Sequence, residues 1–215
     1  MKTSTITLGA LLALSVTGVS FAQQNSAMRS GGTTSIGKYS LSEFDQKNQQ
    51  GAQAVAAVNA TNAPLSQADQ DLMKQVAMGG MMQLQVSQLA VDKASSEDVR
   101  KLAQAEVDEQ TGLSAKLKEI ASAKGVSLPT TPDAEAQAML TKMQGLSGAE
   151  FDRQYVQQSG VNGHEKLDQV MSKVESSAKD QSLKNLAKAA HPLVKTHLQV
   201  SRDELSQLSG SGNSR

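Results

Sequence analysis

The sequence predicts an all-α domain, on three observations. Aromatic residues make up 2% of the chain and Trp is absent, so the core must be filled by Leu, Val, Met and Ala, which suit helices better than sheets. Apolar residues recur every three or four positions through four long segments, the period of one helix face. The segments run long, long, bridge, long, long within 215 residues, room for one ordinary domain and a remainder at one end.

The N-terminus reads as a secretory signal over residues 1–22: Lys2, an apolar run from Ile6 to Val19, then the small-residue pattern Ser20, Phe21, Ala22, with cleavage expected after Ala22. The run is shorter than the ~20 residues a spanning helix needs, so the mature chain is expected to lack a transmembrane segment and to reside in the periplasm. Residues 23–64, rich in Gln, Ala, Gly, Ser and Asn, read as a flexible tether. Within it Phe44, Ala52, Val55, Ala56 and Val58 could form one face of a loose helix over Ser42 to Asn59, which Gly51 weakens by about 1 kcal/mol.

The bundle is expected over residues 65–208. Ser66 can cap a first helix, with Asp69 at the positive end of its dipole, running through Leu72, Val76, Leu84 and Val91 to about Ala94. Ser96, followed by Glu97 and Asp98, opens a second through Val99, Leu102, Leu113, Leu117 and Ile120, which Gly125 ends. So short a break implies antiparallel neighbours. Pro132 opens a short helix through Met139 and Met143 to about Gly145. Ser147 and Glu150 have capping-box spacing and start a third long helix through Phe151, Tyr155, Leu167 and Val174, weakened at Gly160 and Gly163. The fourth runs from Asp180 through Leu186, Leu193, Leu198 and Leu205, with Pro192 expected to kink it. Residues 209–215 should fray as a disordered tail.

Charge and motifs exclude several functions. Lys and Arg balance Asp and Glu at 21 each, so nothing in the composition neutralises phosphates and nucleic acid is not an expected partner. The absence of cysteine rules out disulfides and thiolate chemistry. There is no phosphate loop and no nucleophile motif, so catalysis has little support and no catalytic residue is assigned. Met73, Met78, Met81 and Met82 could suit Cu(I), but methionine more often fills gaps in cores lacking aromatics.

One long link between the second and third long helices is the arrangement of a ferritin-like four-helix bundle, with a short extra helix in that link. Gly79-Gly80-Met81, Leu89-Ala90 with Lys93-Ala94, Val107-Asp108, Phe151-Asp152 with Tyr155, His164, and Pro192 with His197-Leu198 carry a further likeness. Together they resemble the exported bacterial family known as domain of unknown function 4142, often labelled as outer membrane proteins, over roughly Pro64 to Leu208. The resemblance implies a ferritin-like bundle without an established activity. It also implies glutamates shortly after the paired glycines and a histidine after the Val-Asp step. This chain has Gln83 and Gln85 at the former and Gln110 at the latter, a family-equivalent polar layer of neutral amides that are poorer metal ligands.

At 1.5 Å per residue, Gln83 lies roughly 18 Å and Gln110 roughly 22 Å from the turn near residue 95. His164 and His197 lie roughly 22 and 27 Å from the turn near residue 179, so all four fall near mid-bundle. A di-metal bundle site takes Glu-x-x-His pairs, and the sequence has none. His164 and Asp168, four apart, share a face, so the candidate metal ligands are His164, His197, Asp168 and Glu109, or Glu106 in its place. The plainer reading makes His164 and His197 partly buried polar residues bonded to neighbours. His191, roughly 120° around the helix from His197, is expected at the surface.

Three readings follow. The favoured one is an exported, non-catalytic envelope module for structure, stress or interaction, with no cofactor and an unknown envelope protein as partner. The second is a metal-binding bundle with a reduced site for a divalent ion around His164 and His197. The third is a small-molecule binder with a pocket between helices near Gly160 and Gly163.

Overall fold

The four long segments form the expected helices because each has a local start signal and one apolar face. A computed structural model describes residues 34–210. The signal segment, residues 23–33 of the expected tether and residues 211–215 lie outside them. Helix α1 spans Leu41–Ala56, α2 Gln67–Lys93 and α3 Glu97–Ala123. Ser66 Oγ accepts from Asp69 N, and Ser96 Oγ from Val99 N, as N-caps. Gly125, at φ +67°, supplies the left-handed residue that stops α3. Helix α4 occupies Ala134–Gln144 in the link and is capped by Asp133 rather than opened at Pro132.

The third long helix is composite: α5 (Gly148–Tyr155), a π-helical stretch over Val156–Gly163, and α6 (His164–Ser177). The expected capping box at Ser147 is not formed. Gly148 takes φ +60°, which turns the chain at the helix entrance instead. Gly160 and Gly163 fall in the π stretch, so the local weakening takes the form of a wider turn rather than a break. Helix α7 runs Gln181–Gly210 and continues through Pro192.

Side-chain ties fix which ends meet. Asp152, near the start of α5, accepts from Ser95 N, Ser95 Oγ and Ser96 N at the α2–α3 turn. At the other end Asp69 accepts from Lys179 N and Asp180 N, and Lys124 pairs with Asp180 at 2.6 Å. Helices α2 and α7 therefore run one way and α3 and α5–α6 the other, and the link 124–147 crosses the length of the bundle. That is the ferritin-like arrangement expected from the element order.

The folded part begins before the expected boundary at residue 65. A short hairpin, β1 (Ser35–Ile36) with β2 (Tyr39–Ser40), leads into α1 through a capping box between Ser40 and Glu43. Gly37 N donates to Glu204 Oε1 on α7 at 2.8 Å, and Ile36 and Phe44 are buried with Leu102 and Val200. The apolar residues are few, but they all face the same groove between α3 and α7.

The apolar core is divided. Leu72, Val76, Leu117, Leu167, Met171 and Leu186 fill the end near Asp180, with Met73 among them. Val86, Ala90, Val99, Phe151 and Tyr155 fill the end near Ser95. Between the two lies a buried polar layer.

Candidate metal centre

Helix α3 contributes Glu106, Glu109 and Gln110 to this layer, three consecutive inward positions of a helix that is otherwise apolar on that face. Helix α2 contributes Gln83 and Ser87, the composite helix Tyr155, Ser159 and His164, and α7 His197 and Ser201, all buried. Glycines bring the helices together here. A Cβ on Gly80 would lie 2.9 Å from Gln110 Oε1, one on Gly160 2.6 Å from Ser201 Oγ, and one on Gly163 2.7 Å from Gln83 Oε1. At Gly160 and Gly163 the space a Cβ would need is taken by Ser201 and Gln83.

Ligand atoms of Glu106, His164 and His197 all lie within 4.8 Å of one another, and the three side chains are fully buried. The two imidazole rings stand edge to face with centroids 5.7 Å apart. Each of the three is oriented from behind. Glu106 Oε2 accepts from Tyr155 Oη at 2.9 Å and Ser87 Oγ at 2.8 Å. His164 Nδ1 lies 3.0 Å from Gln83 Nε2 and 3.3 Å from the Ser159 carbonyl, contacts that fix the ring's orientation, while Nε2 has no hydrogen-bond partner. Asn48 Nδ2 donates to the Phe44 carbonyl, so Asn48 presents Oδ1 to His197 Nε2 at 2.7 Å, and His197 is the donor.

His197 Nδ1 then faces Glu109 Oε2 at 2.6 Å, out of line for a hydrogen bond. At that distance the contact is favourable only when the ring carries a proton on Nδ1 or when nitrogen and oxygen share a cation. The pKa of His197 is raised from its ordinary value. Burial, the largest influence, opposes the charged ring, and the Glu109 carboxylate together with the Glu106 charge outweighs it. Burial, then the Glu106 charge, pushes the Tyr155 hydroxyl well above its usual range, so it remains a donor.

Six buried atoms in the layer have no hydrogen-bond partner: Glu106 Oε1, Glu109 Oε2, Gln110 Oε1, His164 Nε2, His197 Nδ1 and Ser201 Oγ. Native interiors rarely leave such groups unsatisfied, and here they cluster. Among the described residues the charge partners of Glu106 and Glu109 are the two histidines, with no Lys or Arg among them. Two imidazoles and two carboxylates are a donor set for a divalent first-row metal, so the residues present fit one.

Of the expected ligands, His164, His197 and Glu109 come together, and Glu106 joins them. Asp168 does not: it lies 2.8 Å from His191 Nε2, one turn further along α6. His164 instead reaches back towards Ser159, as helical side chains do. His191 is buried between Asp168 and Glu175, not at the surface. Gln83 holds Ser159 and contacts His164 Nδ1 at 3.0 Å, Gln110 lies against Glu109, and Gln85 is half-buried beside the layer. Asn48 and Tyr155 went unassigned. The i, i+3 spacing of Glu106 and Glu109 was the signal for a carboxylate pair.

Fold and layer together define a ferritin-like helical bundle with a polar centre at mid-height. The chain belongs to the family described as Domain of unknown function (DUF4142), whose sequence model matches residues 54–203. No curated protein matches it. Among solved structures it is similar to a DUF305 fragment from Deinococcus radiodurans, with 12% identity, TM-score 0.61, and 67% of this chain and 99% of that one covered. It is also similar to a presumed secreted DUF305 protein from Streptomyces coelicolor, with 15% identity, TM-score 0.58 and coverage of 66% and 94%. At these identities the likeness is one of fold. No helix among the described residues is long and apolar enough to cross a membrane.

Proposed function

We propose that the chain is an exported metal-binding bundle that holds one divalent first-row transition-metal ion between Glu106, His164 and His197, with Glu109 beside them. The observation that carries this reading is the convergence of unpartnered buried donors from α3, α6 and α7. Two carboxylates and two imidazoles buried together without Lys or Arg offer a divalent ion both charge and lone pairs, and a shared cation would make the 2.6 Å contact between Glu109 and His197 favourable. A single ion suits a layer in which Gln83 and Gln110 are amides and no Glu-x-x-His pair exists. The signal segment supports export to the periplasm. The role this reading gives the ion is storage, buffering or metal-dependent stability.

The test is metal analysis of the purified chain and calorimetric titration with Zn(II), Mn(II), Fe(II) and Co(II), with thermal melts in parallel. One ion per chain is expected, with a rise in melting temperature because the ion binds only the folded state. His164→Ala and Glu106→Gln should abolish both. No binding and no shift would overturn the reading and return the chain to an interaction module for an envelope partner.

A further inference from the structure

Helix α1 packs across α3 and α7 over the buried layer. There a surface cavity of about 330 Å³ lies between α1 and α3, lined by Phe44, Asp45, Asn48, Gln104, Ala105 and Asp108, with Lys101 at its edge. At roughly 30 Å³ per water it has room for about ten, enough for a hydrated ion. Its inner wall is one side chain thick. Asn48 lines the cavity and also touches His197 Nε2 at 2.7 Å, and the Phe44 ring lies 5.6 Å from the His197 ring. On the α3 side Ala105 and Asp108 directly precede, in sequence, Glu106 and Glu109.

Helix α1 cannot swing away cheaply. Gly37 is bonded to Glu204 at one end of the segment, and at the other Gly51 lies so close to α7 that a Cβ would meet Leu193 at 2.7 Å. Access through this wall therefore needs a rotation of Asn48, not a movement of the helix. Asp45 and Asp108 are exposed at the mouth, where they attract cations and Lys101 opposes them.

We infer that this cavity is the route by which a divalent cation reaches the buried layer, with Asp45 and Asp108 collecting it and the Asn48 side chain as the gate. The inference rests on the metal-binding reading and adds a path and a rate-setting residue. Residue 48 lies outside the 54–203 stretch matched by the family, so the gate is supplied by the segment that precedes the family domain.

The experiment is stopped-flow mixing of the metal-free full chain with Co(II), followed by its visible absorption, beside an equilibrium titration. Asn48→Ala, which opens the wall, should speed Co(II) loading about tenfold, and because Asn48 also orients His197 the equilibrium affinity should fall as well. Asn48→Leu, which keeps the bulk, should not speed loading. The double variant Asp45→Asn, Asp108→Asn should load about fivefold more slowly at low salt and match the parent at high salt, and Lys101→Gln should load faster. These charge variants sit on the surface and do not threaten folding. Parental rates in all variants, with one Co(II) still bound, would overturn the route alone. Failure of the parent chain to take up Co(II) at all would overturn the metal-binding reading, and the route with it.

Discussion

The Tyr155 hydroxyl donates to Glu106 Oε2 across 2.9 Å, and this bond selects which carboxylate oxygen is left to face the histidines. Ser87 Oγ donates to the same oxygen, so Oε1 is the free one. Tyr155→Phe should keep the fold, since the ring remains packed on Val86 and Phe151. It should weaken Co(II) or Zn(II) affinity by about tenfold or more, the usual effect of losing a bond that orients a ligand. Calorimetric titration of the variant checks this, with circular dichroism to confirm the helix content.

Glycines at the layer separate close approach from mere presence in a helix. At Gly160 a Cβ would lie 2.6 Å from Ser201 Oγ, whereas at Gly112 nothing lies within 4 Å. Gly160→Ala should destabilise the chain by about 1–3 kcal/mol through overpacking. Gly112→Ala, in the interior of α3, should stabilise it by about 0.5–1 kcal/mol by removing glycine's freedom in the unfolded chain. Urea unfolding of both variants against the parent gives opposite shifts of midpoint.

Lys124 is a buried structural cation. Its Nζ reaches Asp180 Oδ2 at 2.6 Å and also donates to Thr61 Oγ1 and the Ala63 carbonyl, with side-chain exposures of 0% and 4% for the pair. Lys124→Met strands the carboxylate and should cost about 3–5 kcal/mol. Asp180 also caps α7 through Leu183 N, so an Asp180→Leu change added to it should not restore the parent stability. A double-mutant cycle in urea measures both statements.

The long helices, their antiparallel turns and the mid-height placement of His164 and His197 were legible because caps, periodicity and rise per residue are local properties. What was not legible came from packing. The helix over Ser42 to Asn59 is legible from Phe44 and Val55 and matches α1, but the polar composition of residues 23–64 gives no sign that it docks in a groove of the bundle, and the Ser40 and Glu43 capping box is a local signal left unused. The spacing of Asp168 from His164 makes it one of the candidate ligands in the sequence. Which way a helix faces depends on its neighbours, and here Asp168 meets His191. The π stretch at Gly160 and Gly163 leaves no periodic signature, since it is fixed by Gln83 holding the Ser159 carbonyl.

Glu204 gives the chain a pH dependence independent of the central layer. Its carboxyl is raised above the ordinary carboxylate value. Burial raises it most, the bond from Gly37 N opposes, and the charges of Asp98 and Asp203 raise it further. The folded state therefore binds this proton more tightly than the unfolded chain does. The stability it contributes is present below the unfolded value of 4.5 and is lost as pH rises through the folded value. Glu204→Gln keeps an oxygen for Gly37 and removes the charge, so it should melt higher than the parent at pH 7. The difference should shrink as the pH falls to about 4, where the parent carboxyl is itself protonated. Thermal melts of the metal-free pair between pH 4 and 8 test the sign, and a variant less stable than the parent at pH 7 would show that the hydrogen bond to Gly37 outweighs the buried charge.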